Sequence, residues 1–214
     1  MYRRHFIALG LLTAGAGFCG AANPPAAGPA STILVLGDSL SAEYGLKRGS
    51  GWVALLEQRL IRDGKPAKLV NASISGETTS GGRSRLPALL ARHRPTHVII
   101  ELGGNDALRG LPLQSTQDNL SQMTQAAQQA GARVLLLGME MPPNYGQDYR
   151  KRFATLYRSV ARARQAALVP FFLQGVADGA DAARLFQNDR IHPTEEAQAR
   201  MLDNVWPELK KLLP

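Results

Sequence analysis

A serine, a histidine and an aspartate stand in this chain where together they could make a nucleophile. Ser39 lies in Gly37-Asp38-Ser39-Leu40, directly after a short apolar run. A serine hydroxyl attacks a carbonyl effectively only when a base takes its proton. Of the four histidines, His5 sits in the basic, apolar N-terminal stretch, His93 in the run Arg92-His93-Arg94-Pro95, and His97 at the start of an apolar segment. His192 remains, in Asp189-Arg190-Ile191-His192-Pro193. Asp189, three residues earlier, can fold back to accept the Nδ1 proton, leaving Nε2 to face a hydroxyl. An Asp-initiated turn bearing a surface histidine is the plainer reading of that pentapeptide alone. Set beside Ser39, it becomes a candidate triad for hydrolysing an ester or thioester.

Acyl transfer also needs donors for the oxyanion. The backbone N–H of Ser39 can serve if the residue opens a tight turn. Gly76, in Ser75-Gly76-Glu77-Thr78, can bring a backbone N–H close to a ligand because it lacks a side chain. Asn105, in Gly103-Gly104-Asn105-Asp106, can offer its NH₂. Each also fits an ordinary turn; their shared position after apolar runs favours a site. Other chemistries lack their patterns. Gly103-Gly104 opens no Gly-x-Gly-x-x-Gly dinucleotide fingerprint, and no Gly-Lys-Ser phosphate loop is present. Asp38, Asp106 and Asp189 lack the loop spacing of a metal site. Ser41 stands where a Gly-x-Ser-x-Gly elbow has its last glycine.

The elements that must position these groups alternate. Apolar runs at Thr32–Leu36, Lys68–Asn71, His97–Leu102, Arg133–Leu137 and Leu168–Phe172 predict strands. Helical spacing joins Trp52, Leu55, Leu56, Leu60 and Ile61, stopping at Gly64. It recurs over Ser80–Arg92, Ser115–Ala130 (capped by Ser115 or Thr116), Asp148–Ala166 and Thr194–Leu212, with Pro207 near the end of the last. Strands apolar on both faces, alternating with helices, imply a parallel sheet covered on both sides, a three-layer α/β/α sandwich. Ligands then bind beyond the carboxyl ends of the strands. That edge is where Gly37-Asp38-Ser39, Ser73 to Gly76 and Gly103 to Asp106 should meet, with His97 at the opposite one.

The composition bounds the rest. With 214 residues, 44% of them hydrophobic, the chain can bury the core of one domain. Arg3 and Arg4, the uncharged stretch from Phe6 to Ala16 and the small residues at Gly20 to Ala22 read as an export signal over residues 1–22. Arg3-Arg4-His5-Phe6 partly matches a twin-arginine signal. Phe18 before Cys19 argues against a lipoprotein anchor. Residues 23–31 read as a linker and 32–214 as the domain. Cys19 is the only cysteine, so thiol catalysis, cysteine-bound zinc and internal disulfides are excluded from a processed chain. The formal charge is +8, yet the basic residues are scattered and not interleaved with aromatics, which speaks against nucleic-acid binding.

In order and spacing, Gly37-Asp38-Ser39-Leu40-Ser41, Asn71 to Gly76, Gly103-Gly104-Asn105-Asp106 and Asp189-x-x-His192 resemble the four blocks of the SGNH, or GDSL, hydrolase family. The resemblance runs from about Thr32 to the end. The phrases at 38–46, 71–79 and 101–110 look most like its bacterial periplasmic thioesterase, lysophospholipase and arylesterase group. It implies a flavodoxin-like five-stranded sheet, a Ser39–His192–Asp189 triad, and an oxyanion hole from Ser39, Gly76 and Asn105. It further implies no cofactor or metal, a periplasmic or secreted protein without a membrane span once processed, and a monomer. The expected substrates are aryl esters, acyl-CoA and lysophospholipids. Loops carrying Leu108, Leu111 and Met141 would line the acyl pocket. A carbohydrate O-acetylesterase of the same family and a non-catalytic binding protein on the same fold are the alternatives.

Overall fold

The computed structural model describes residues 31–214 and Met1; the expected export signal and the linker up to residue 30 lie outside the described residues. Five short runs form one all-parallel sheet: β1 (Ser31–Gly37), β2 (Ala67–Asn71), β3 (His97–Glu101), β4 (Arg133–Leu137) and β5 (Ala167–Val169). Their spatial order is β2-β1-β3-β4-β5. The central strands β1 and β3 are almost wholly buried, as their unbroken Ile, Leu and Val runs require. Ser31, read as linker, is already the first residue of β1 and pairs with Ala67.

Helices α1 (Trp52–Arg62), α2 (Thr79–His93), α3 (Gly104–Leu108), α4 (Leu113–Gln129), α5 (Gln147–Arg164), α6 (Ala182–Leu185) and α7 (Gln198–Leu212) connect the strands. Helices α2, α4 and α5 pack side by side, and α1 packs against α7, so the sheet lies between two helical layers. Met201, Leu202, Val205 and Leu209 of α7 and Phe153, Leu156, Tyr157 and Val160 of α5 are buried, as their spacing implies.

Boundaries differ where local chemistry overrides periodicity. Helix α4 begins at Leu113 behind Pro112, not at a Ser115 or Thr116 cap; Thr116 is fully buried and donates to Asp106 instead. Strand β5 stops at Val169 because Pro170 has no N–H to continue the ladder. Phe172 instead returns its N–H to Gly138 O at 2.8 Å. A 3-10 turn over Glu195–Ala197 precedes α7, which continues through Pro207 to Leu212. The short α3 and α6 carry too few residues for a periodic signal.

The chain's far end is fastened at the edge where the strands begin. Leu212 O accepts from Arg133 Nη1 and lies 2.9 Å from His97 Nε2, while Lys65 Nζ donates to Pro214 O. No helix of the described residues is long and apolar enough to cross a membrane.

Candidate active site

The strand order reverses between β1 and β3, opening a crevice at their carboxyl ends. Gly37 and Glu101 are register partners there, so the segments leaving β1 and β3 depart side by side. Asp38-Ser39-Leu40 turns sharply: Ala42 N–H reaches back to Asp38 O at 3.0 Å, and Leu40 N–H donates to Asp38 Oδ1 at 3.0 Å. This turn lifts the Ser39 hydroxyl into a pocket of about 410 Å³.

His192 Nε2 lies 2.9 Å from Ser39 Oγ, and His192 Nδ1 lies 2.6 Å from Asp189 Oδ2. The second carboxylate oxygen, Oδ1, accepts the backbone N–H groups of Ile191 and His192 at 2.9 and 3.0 Å. These bonds, the imidazole's first, pull the Asp189 carboxyl down to about 2. The aspartate is therefore ionised at neutral pH, which selects the tautomer with its proton on Nδ1 and leaves Nε2 to accept from Ser39.

The histidine loop is tied to the serine loop. Gln187 Nε2 donates to Tyr44 O at 2.9 Å and to Pro193 O at 3.1 Å, and Gln187 N–H donates to His192 O at 2.8 Å. Lys47 N–H donates to Glu195 Oε1 at 2.9 Å. The Tyr44 ring rests on the imidazole with centroids 4.3 Å apart. These links join segments about 150 residues apart in sequence; neither Gln187 nor Tyr44 carries a signal that would single it out there.

Gly76 has φ +77°, a left-handed conformation that glycine adopts without steric cost. Its carbonyl accepts from Arg109 Nη2 at 2.8 Å. Asn105 sits in the first turn of α3, behind Gly103 at φ +119°, where an added Cβ would fall 2.3 Å from Tyr157 Oη. One Asn105 Nδ2 hydrogen goes to Asp38 Oδ2 at 3.0 Å. The next residue, Asp106, is buried and accepts from Thr79 N–H, Thr79 Oγ1 and Thr116 Oγ1, tying α3 to α2 and α4.

Ser39, Gly76, Asn105 and His192 all line the one pocket, with Tyr44, Leu108, Met139 and Ile191 as its apolar walls. Asp189 stands behind the imidazole. Of the three residues expected to hold the acyl group, only Leu108 lines it. Leu111 lies outside, and Met141 is buried with its carbonyl bonded to Arg150. Met139 takes the place expected of Met141. It leaves β4 two residues beyond Leu137, at the sheet edge, whereas Met141 has already turned into the interior.

A profile described as the GDSL-like Lipase/Acylhydrolase family matches residues 35–200. Esterase TesA of Pseudomonas aeruginosa (strain PAO1) is 53% identical over 184 residues, 86% of this chain and 90% of that protein. Thioesterase 1/protease 1/lysophospholipase L1 of Escherichia coli (strain K12) is 40% identical over 187 residues, 87% of each. A crystal structure of TesA matches with a TM-score of 0.82 at 53% identity, covering 85% of this chain and 99% of that one. The four sequence blocks, the sheet order and these relatives agree: the chain belongs to the GDSL-like lipase/acylhydrolase family.

Proposed function

We propose that this protein hydrolyses carboxylic esters and thioesters through an acyl-enzyme on Ser39. The carrying observation is the continuous line Ser39 Oγ–His192–Asp189, with hydrogen-bond distances of 2.9 and 2.6 Å. His192 Nε2 takes the Ser39 proton as the oxygen attacks the acyl carbonyl. The carbonyl oxygen becomes an oxyanion held by the backbone N–H groups of Ser39 and Gly76 and the side chain of Asn105. His192 then gives the proton to the departing alcohol or thiol, and water releases the acyl group by the same route. Asp189 stabilises the transient imidazolium. Each oxyanion donor is worth roughly 3 kcal/mol of barrier.

Thioesters and lysophospholipids are the substrate classes favoured by the name thioesterase 1/protease 1/lysophospholipase L1, and the apolar walls at Leu108, Met139 and Ile191 suit the acyl chain of an acyl-CoA or the ring of an aryl ester. The nucleophile, base, aspartate and oxyanion donors all come from one chain, which supports a functional monomer. The basic and apolar start of the sequence supports export to the periplasm with removal of residues 1–22.

The test is a p-nitrophenyl ester series from acetyl to decanoyl on wild type and Ser39→Ala. Wild type should turn over medium and long chains, and Ser39→Ala should lose about 10⁴-fold or more in kcat. Undiminished turnover in the variant removes Ser39 from the mechanism. Strict preference for acetyl points to a carbohydrate O-acetylesterase instead.

A further inference from the structure

Beneath the nucleophile turn lies a pair of acids that triad chemistry does not use. Asp38 is 3% exposed and Glu101, the last residue of β3, is 1% exposed. They lie on adjoining strand ends, Asp38 directly following the register partner of Glu101. Glu101 Oε2 also accepts Ser41 Oγ–H at 2.8 Å and Asp38 N–H at 3.3 Å, and Ser41 Oγ accepts Trp52 Nε1–H at 3.1 Å. The titratable groups facing the pair are Tyr157 of α5 and His192 of the base loop. Among the described residues no Lys or Arg forms an ion pair with either acid.

Two adjacent buried carboxyls without a cation cannot both ionise cheaply, so one of them stays protonated. Its place follows from the donors. Asp38 receives Leu40 N–H on Oδ1 and Asn105 Nδ2–H on Oδ2, one donor on each oxygen, whereas both donors to Glu101 fall on Oε2 and leave Oε1 to carry a proton. Glu101 is completely buried, and burial, then the neighbouring Asp38 charge, push its carboxyl well above the usual range. Glu101 therefore holds the proton.

The consequence falls on Asn105. An asparagine amide can turn over and present its oxygen where its NH₂ was. Here the turned-over amide would set its carbonyl oxygen against the Asp38 carboxylate and carry its NH₂ away to where the oxygen now lies. We propose that Asp38 and Glu101 are positioning residues for the oxyanion hole: the charge on Asp38 locks the Asn105 amide with its second N–H turned to the reacting carbonyl, and the proton on Glu101 keeps that charge single. This rests on Asn105 acting as an oxyanion donor.

The experiment is a double-mutant cycle of Asp38→Asn and Asn105→Ala, with Glu101→Gln alongside. Turnover of p-nitrophenyl butyrate is followed from pH 5 to 10, and each fold is checked by circular dichroism. Asn105→Ala should lower kcat about 10²–10³-fold. Asp38→Asn should lower kcat at least 10-fold, with KM within about 3-fold, and should cost less than 2-fold once Asn105 is gone, because it acts through that side chain. Glutamine cannot lose a proton, so wild type should show an alkaline fall in kcat that Glu101→Gln abolishes while keeping kcat within about 3-fold at pH 7.

Equal cost of Asp38→Asn in both backgrounds overturns the positioning role while leaving Asn105 as a donor. An unimpaired Asn105→Ala instead overturns the oxyanion reading itself. If Asp38→Asn does not fold, the alkaline limb decides: its persistence in Glu101→Gln refutes the proton on Glu101.

Discussion

Two aspartates in this site are driven in opposite directions by their surroundings. Asp189 stands at the rim, and bonds to His192 and two backbone N–H groups hold its carboxyl at about 2. Its folded value is depressed, so the stability it contributes is present above about pH 4 and is lost as pH falls toward 2. Asp38 is buried beneath the turn, and desolvation pushes it up to about 6 despite bonds from Leu40 and Asn105. Glu101 is raised further by burial and by Asp38. A raised carboxyl has the reverse sign: the folded state binds more protons than the unfolded one, so stability declines as pH rises above about 4. Glu101→Gln cannot ionise, and its urea midpoint should gain on wild type between pH 4.5 and 9. A constant difference over that range would mean that the acid does not titrate with folding. The meeting of Ser39, His192 and Asp189 was legible in the sequence because serine chemistry demands a base and few histidines compete. The acid pair was not, because nothing in His-Val-Ile-Ile-Glu says that its final carboxylate turns inward under the neighbouring strand.

Elements deliver these side chains through close approaches that tolerate little. Gly138 is the sharpest case. It follows β4, donates to Val169 O and accepts from Phe172 N–H, both at 2.8 Å. An added Cβ would fall 2.4 Å from Pro170 O, a backbone atom with no freedom to step aside. Gly138→Ala should destabilise by about 1–3 kcal/mol, lowering the thermal midpoint by roughly 2–4 °C per kcal/mol. The position lies next to Met139, so kcat/KM should fall as well. An unchanged midpoint would show that β4 and β5 separate freely at this point. The strands and five longer helices were readable from apolar runs and helical spacing. Their starts were less so: Pro112 opens α4 without a side-chain cap, and Thr116, the expected cap, serves Asp106. The same buried Asp106 accepts Thr79 N–H at the first turn of α2, so one carboxylate aligns three helices around Asn105. Such long-range polar ties leave no periodic trace.

Among the described residues, the molecule keeps its candidate site at one edge of the sheet and Leu212 to Pro214 at the other. The alternation of strands and helices was enough to place Ser39, Gly76 and Asn105 together, because in a parallel sheet every strand delivers its carboxyl end to the same side. The pocket walls were less predictable, since whether Met139 or Met141 faces the cavity depends on how the chain leaves β4. Leu212 and Pro214 are fastened beside the starts of β3 and β4, by His97, Arg133 and Lys65. A segment appended after Pro214 therefore leaves the protein facing away from the pocket mouth. Coupled to a resin through such an extension, the enzyme should present its mouth to the bulk liquid and keep kcat/KM for a soluble aryl ester within about 2-fold. Random coupling through surface lysines should cost more, because Lys47 stands on the serine loop itself. The fastening that closes the fold is thus also a ready-made point of oriented attachment.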